Sequence, residues 1–223
     1  HTGTSDASHN QTDHLLLNQP LGPSSGFTSL LVNRGSLNNK GVELTLNGTL
    51  IEKNDLSIDI GGNIAFNKSK IQNLGGTPED IYINGALENR VFYRGQNIST
   101  GNYFRAPANI FMEGEEVGLF YGFETDGIYQ TEDVITVSGA EAGDVRIVDQ
   151  NGDDAITEAD RTIIGNPNPD FVFGGYLSMN YKRLNLSVQM NGVYGNEIAN
   201  GNLIQLGTAE GRSANVLSQA YNN

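Results

Sequence analysis

VELTLNGTLIEKNDLSIDIGGNIAF, residues 42–66, decides the fold class. Val42, Leu44, Leu46, Gly48 and Leu50 fall on one side of an extended chain, and Glu43, Thr45, Asn47 and Thr49 on the other. Glu52-Lys53-Asn54-Asp55 reads as a turn, because its residues favour backbone reversal over a ladder. Leu56, Ile58, Ile60, Ile64 and Phe66 then alternate with Ser57, Asp59, Asn63 and Ala65. The period is two, that of a strand with two unlike faces, and not 3.6. A second hairpin of this kind stands late in the chain. Phe171, Phe173, Leu177, Met179 and Tyr181 share a face, Lys182-Arg183 turns, and Leu184, Leu186, Val188 and Met190 alternate with Asn185, Ser187, Gln189 and Asn191.

Two structures share this pattern. In a soluble sheet the apolar face packs on a core and the polar face meets water. In an outer-membrane barrel the apolar face meets lipid and the polar face lines the lumen. The polar faces here carry mostly Asn, Thr, Ser and Gln, whereas a solvated surface usually carries more charge. The longest apolar runs are four residues or fewer, too short for a transmembrane helix but not for membrane strands. No signal peptide is visible, and the start at His1 with the polar finish at Asn222-Asn223 leads us to expect a piece of something larger.

The chain has 223 residues and a formal charge of −13. Such acidity argues against nucleic acid, or an anionic membrane surface, as the main partner. With no Cys, a disulfide scaffold, a thiolate metal site and a Cys nucleophile are excluded. Between the hairpins, residues 68–170 hold 18 acidic and 7 basic residues, so −11 of the total charge lies there. A stretch of this length is expected to carry structure of its own. VGLFYGFETDGIYQ at 117–130 is strand-like, and Ile81-Tyr82-Ile83 and Val91-Phe92-Tyr93 are shorter candidates.

DQNGDDAITEAD, residues 149–160, is the sharpest local motif. Asp149, Asn151 and Asp153 take positions 1, 3 and 5 of a calcium loop, Thr157 takes 9 and Asp160 takes 12, and Ala155 could add its carbonyl. Alternate spacing of this kind brings oxygens round a hard cation. Asp154 stands where Gly is usual, and Asp at position 12 is a shorter ligand than Glu. The competing reading is an Asx-turn loop whose side chains satisfy local backbone N–H groups, pinned by Arg146 or Arg161. His1, His9 and His14 are too loosely spaced for a metal site. No GxSxG, Walker A, HExxH or GxGxxG motif is present, and no acidic pair is singled out for glycosidase work, so no enzyme is expected.

The stretches LLLNQPLGPSSGF (15–27), NRGSLNNKGVELTLNGTL (33–50), IAFNKSKIQNLGG (64–76), VGLFYGFETDGIYQ (117–130), GDVRIVDQNGDDAITEADRTIIGNPNPDFVFGG (143–175) and LNLSVQMNGVYGNEI (184–198) carry a resemblance. In this order they resemble the SusC/RagA-type TonB-dependent receptors of Bacteroidetes outer membranes. The family loop usually reads DxNGDG, and here Asp154 replaces the second Gly. The resemblance implies an all-β fold that forms part of a 22-stranded transmembrane antiparallel β-barrel with a long extracellular excursion. It implies barrel strands and a first hairpin in 1–67, an acidic extracellular loop region in 68–170, and a barrel hairpin with its following loop in 171–223.

The function so implied is that of a TonB-dependent receptor for nutrient uptake in the cell outer membrane of a Gram-negative bacterium, of which this chain is the C-terminal barrel portion. Outer-membrane lipid, a SusD-like lipoprotein, TonB and a glycan or peptide substrate are the implied partners. Tyr82, Tyr93, Tyr103, Phe104 and Tyr121 are the candidate substrate contacts within the variable region. The alternative is a soluble extracellular calcium-stabilised carbohydrate-binding β module.

Overall fold

The computed structural model describes residues 1–20, 29–33, 35–95, 97–99 and 105–201. In chain order its strands are β1 (Thr2–Asp13), β2 (Leu16–Pro20), β3 (Ser29–Asn33), β4 (Ser36–Lys53), β5 (Leu56–Asn73), β6 (Glu79–Ile83), β7 (Ala86–Arg90), β8 (Phe92–Arg94) and β9 (Asn97–Ser99). They continue with β10 (Arg105–Pro107), β11 (Asn109–Met112), β12 (Leu119–Phe123), β13 (Thr125–Ile128), β14 (Val145–Ile147), β15 (Arg161–Gly165), β16 (Phe171–Tyr181) and β17 (Leu184–Tyr194). One 3-10 turn, Glu158–Asp160, precedes β15. Among the described residues no helix is long and apolar enough to cross a membrane. The chain divides into two compact units. The first is His1–Gly75 with Met112–Val117 and Asn168–Asn196; the second is Gly76–Phe111 with Gly118–Pro167 and Glu197–Asn223.

The first unit is built on an antiparallel sheet in the order β1-β4-β5-β16-β17. The two hairpins of the sequence are β4-β5 and β16-β17, and β5 pairs directly with β16 over Val172↔Ala65 to Tyr181↔Leu56. Both hairpin turns therefore lie at one end, where the Lys182 N–H donates to the Asp55 carbonyl at 2.9 Å. The register aligns the alternation of all four strands. Val42, Phe66, Leu44, Ile64, Phe173, Ile60, Leu177, Val188, Ile58, Met179 and Leu186 share one face. Glu43, Thr45, Asn63, Asp59, Ser178 and Ser187 share the other. The apolar face is open: Leu46 is 71 % exposed, Leu184 70 % and Met190 61 %. β1, TGTSDASHNQTD, has no apolar alternation and every residue is exposed, and it is held by its ladder to β4 from Thr2↔Asn47 to Asp13↔Ser36. Beyond the open face, Ile71, Leu74 and Met112 are buried, where segment 112–117 bonds back to the end of β5 through Ile71 and Leu74.

The expectation of a portion of a 22-stranded transmembrane barrel is corrected here. The described sheets are one of five strands, one of four and four of two, each an open run with free edges, and none closes on itself. Period-two alternation specifies a sheet with two unlike faces. Closure depends on strand number and stagger, which alternation does not encode. The function attached to that fold, the C-terminal barrel portion of an import receptor, is corrected with it, because open sheets enclose no pore.

The second unit is made of short elements. Its largest sheet has the order β15-β12-β11-β8, and β6-β7 and β13-β14 are hairpin-like pairs. The β6-β7 hairpin turns through Asn84 and Gly85, with φ of 52° and 73°, the left-handed pair that suits a right-twisted hairpin. At Gly85 a Cβ would run into the Gln150 carbonyl oxygen, so any side chain there displaces backbone. Ile81, Val91, Ile110, Leu119, Tyr121 and Tyr129 are buried, which gives the excursion the small core its length required.

Candidate functional site

The second unit gathers most of the chemistry the sequence singled out. Tyr121, on β12, is 6 % exposed and donates its hydroxyl to the Tyr82 carbonyl of β6 at 2.7 Å. The Arg94 guanidinium lies over the Tyr121 ring at 5.9 Å, and Arg161 lies over Phe123 at 4.9 Å. Such placements draw the cations to the negative ring faces. Glu158 joins the two, 2.9 Å from Arg161 and 3.8 Å from Arg94. Burial is the main cause that raises the Tyr121 pKa; Arg94 and Arg161 oppose it and Glu158 adds to it.

Of the five aromatic candidates, Tyr82 and Tyr121 come together. Tyr93 sits on β8 with its ring over Gly76, where a Cβ would come within 2.9 Å of its hydroxyl. Tyr103 and Phe104 lie outside the described residues. Tyr121 is a buried hydrogen-bonded support, while Tyr82 and Tyr93 are half-buried. Arg94, Glu158 and Phe123 were not legible as site residues, since their grouping arises from β8, the 3-10 turn and β12, which are distant in sequence.

The loop from Asp149 to Asp160 closes on its own backbone. Asp149 accepts N–H bonds from Gly152 at 2.7 Å, Asp153 at 3.4 Å and Asp154 at 2.8 Å. Asn151 accepts from the Asp153 N–H at 3.0 Å, and Asp153 from the Ala155 N–H at 2.9 Å. Asp154 adopts φ of 60° at the place where Gly is usual, a conformation an Asp tolerates better than most residues. Asp160 is fully buried and accepts the Gln150 N–H at 3.0 Å and the Thr157 N–H at 2.7 Å. It forms a capping box with Thr157, whose hydroxyl accepts the Ala159 N–H at 3.2 Å.

A Ca²⁺ ion would ask this loop for a ring of converging oxygens. Asp160, at the closing position, is turned inward as a cap, and no three His, Asp or Glu side chains group as a metal site among the described residues. The side chains as placed thus fit a loop tied by its own amides better than a cation cage. Arg161 pairs with Glu158, and Arg146 with Asp126 and Asp133, so neither arginine pins Asp149. Burial acts to raise the Asp149 pKa, but backbone N–H bonds from Asp154, Gly152, Asp153 and Asn151 outweigh it and hold the carboxyl below its ordinary value.

No protein-family model matches the chain. TonB-dependent receptor P3 of Formosa agariphila is 32 % identical over 95 % of this chain and 20 % of its own length. TonB-dependent receptor SusC of Bacteroides thetaiotaomicron is 27 % identical over 88 % of this chain and 18 % of its own. The chain spans about a fifth of the length of the curated relatives it matches. In fold, it is similar to the RagAB peptide importer in its closed-closed state, with a TM-score of 0.62 at 21 % identity over 98 % of this chain and 24 % of that one. The RagAB open-open state gives 0.59 at 22 % identity, over 87 % and 18 %. The sequence match is to TonB-dependent receptors, SusC among them, and the likeness in fold is to a peptide importer.

Proposed function

We propose, from this family-level likeness, that the chain is an extracellular carbohydrate-binding β module of an outer-membrane nutrient-uptake system. The observation that carries the reading is the grouping of Tyr82, Tyr121, Arg94, Arg161 and Glu158 on the second unit. Arginines held over aromatic rings, with a carboxylate between them, supply the planar donors and acceptors that sugar hydroxyls meet. The half-buried rings of Tyr82 and Tyr93 add apolar faces. No nucleophile with a base beside it accompanies them among the described residues, so the group serves recognition. The partners we propose are those of this receptor type: glycan or peptide as cargo, and a SusD-like lipoprotein and TonB through the longer protein.

Titration of the purified chain with oligosaccharides and with peptides, followed by calorimetry, tests this. Arg94→Ala and Tyr93→Ala are each expected to weaken saccharide binding by about 1 kcal/mol, roughly five-fold. Binding of peptides with no saccharide binding at all would remove the carbohydrate reading.

A further inference from the structure

We propose that the two guanidiniums of Arg94 and Arg161 form the seat of an acidic group on the bound sugar, a uronate carboxylate, and that Glu158 holds its place until it arrives. This deepens the carbohydrate reading of the same site and rests on it. The balance of charge is the first observation. Residues 68–170 hold 18 acidic and 7 basic side chains, so a cation there should find more than one carboxylate. Arg146 does, with Asp126 at 3.1 Å and Asp133 at 3.4 Å. Arg94 and Arg161 reverse the ratio. Among the described residues these two guanidiniums share one carboxylate, that of Glu158. The Tyr121 phenol beside them feels the charge of the same three groups. A local positive excess thus stands within the acidic excursion.

The arginines are firmly held and the carboxylate is not. The Arg161 side chain is 17 % exposed and lies on Phe123, and its Nε is buried with no hydrogen-bond acceptor among the described residues. Arg94 lies over Tyr121, which is itself fixed by its bond to the Tyr82 carbonyl. A guanidinium laid on a ring keeps its in-plane N–H groups for an acceptor. The Glu158 side chain, by contrast, is 63 % exposed, and it reaches Arg161 at 2.9 Å but Arg94 only at 3.8 Å. The capping box of Thr157 and Asp160 fixes the backbone of the turn, so the Glu158 side chain alone can swing aside. An exposed ion pair of this kind is weak, and its displacement costs little. A carboxylate carried on a sugar whose ring is held elsewhere in the site arrives at high effective concentration and meets both guanidiniums. A neutral sugar leaves them to Glu158.

Calorimetric titration of the whole chain with a glucuronate-containing oligosaccharide, and with its carboxyl-reduced form in which each glucuronate becomes glucose, reads the proposal. The acid is expected to bind on the order of ten-fold more tightly, as suits charge-assisted hydrogen bonds. Glu158→Gln is expected to strengthen binding of the acid about three-fold further by clearing the arginines, with no such gain for the reduced form. Arg94→Gln is expected to remove most of the preference. Equal binding of the two forms by the wild type overturns the acid seat and leaves the carbohydrate reading standing, whereas binding of neither overturns both. A loss of acid affinity in Glu158→Gln overturns the proposal, because a merely structural Glu158 would weaken the site when changed. A Glu158→Gln gain for a polyglutamate peptide, with neither sugar bound, overturns the sugar as source of the carboxylate. Should Arg94→Gln lose its β-sheet circular dichroism, the two sugars on the wild type and on Glu158→Gln decide alone.

Discussion

At the residue scale, Asp149 shows how a motif can be visible and its chemistry still open. The 1-3-5 spacing of Asp149, Asn151 and Asp153 was legible, because side-chain oxygens at alternate positions are a local property. What those oxygens touch is set by backbone torsions, and in the folded loop they accept its own amides. Asp149→Ala is therefore expected to lower Tm by freeing three N–H groups, as scanning calorimetry would show. Addition of Ca²⁺ or of a chelator is expected to leave the wild-type Tm unchanged; a rise with Ca²⁺ that disappears in Asp149→Ala would show that the loop takes the ion. The pH dependence follows from the depressed carboxyl. Its contribution is complete above the unfolded Asp value of about 3.9 and is lost as pH falls through the lower folded one. A thermal scan between neutral pH and strong acid should find the wild type and Asp149→Ala converging at the acid end.

At the element scale, a strand is defined by its neighbours as much as by its own pattern. β4, β5, β16 and β17 were readable because each alternates apolar and polar residues. β1 was not, since TGTSDASHNQTD has the composition of a loop and becomes a strand only on the edge of β4. Among the described residues no strand pairs with the outer edges of β1 and β17, so their backbone groups are open templates for further pairing. Hydrogen exchange should reflect this order. Amides of β5, bonded on both sides, are expected to be protected by several orders of magnitude more than the outward amides of β1 and β17. Uniform protection across all five strands would mean that the edges are covered in solution.

At the scale of the whole molecule, the open apolar face governs behaviour in water. Patches of more than a few hundred Å² are rare on monomeric soluble chains and promote association. The chain is expected to self-associate in plain buffer and to become monomeric when detergent covers the face, measured by analytical ultracentrifugation. A monomer without detergent would require a cover on Leu46, Leu184 and Met190, which are widely exposed here.

The sequence by itself determined strands of period two, two hairpins with tight turns, one apolar and one polar face, and a charged excursion between them, because each depends only on neighbouring residues. Tertiary structure alone decided that β5 and β16 pair across the excursion and that β1 joins the sheet. It also decided that the sheets stay open, and that Arg94, Glu158 and Tyr121 meet. These depend on register and on contacts between distant segments, which alternation leaves undetermined.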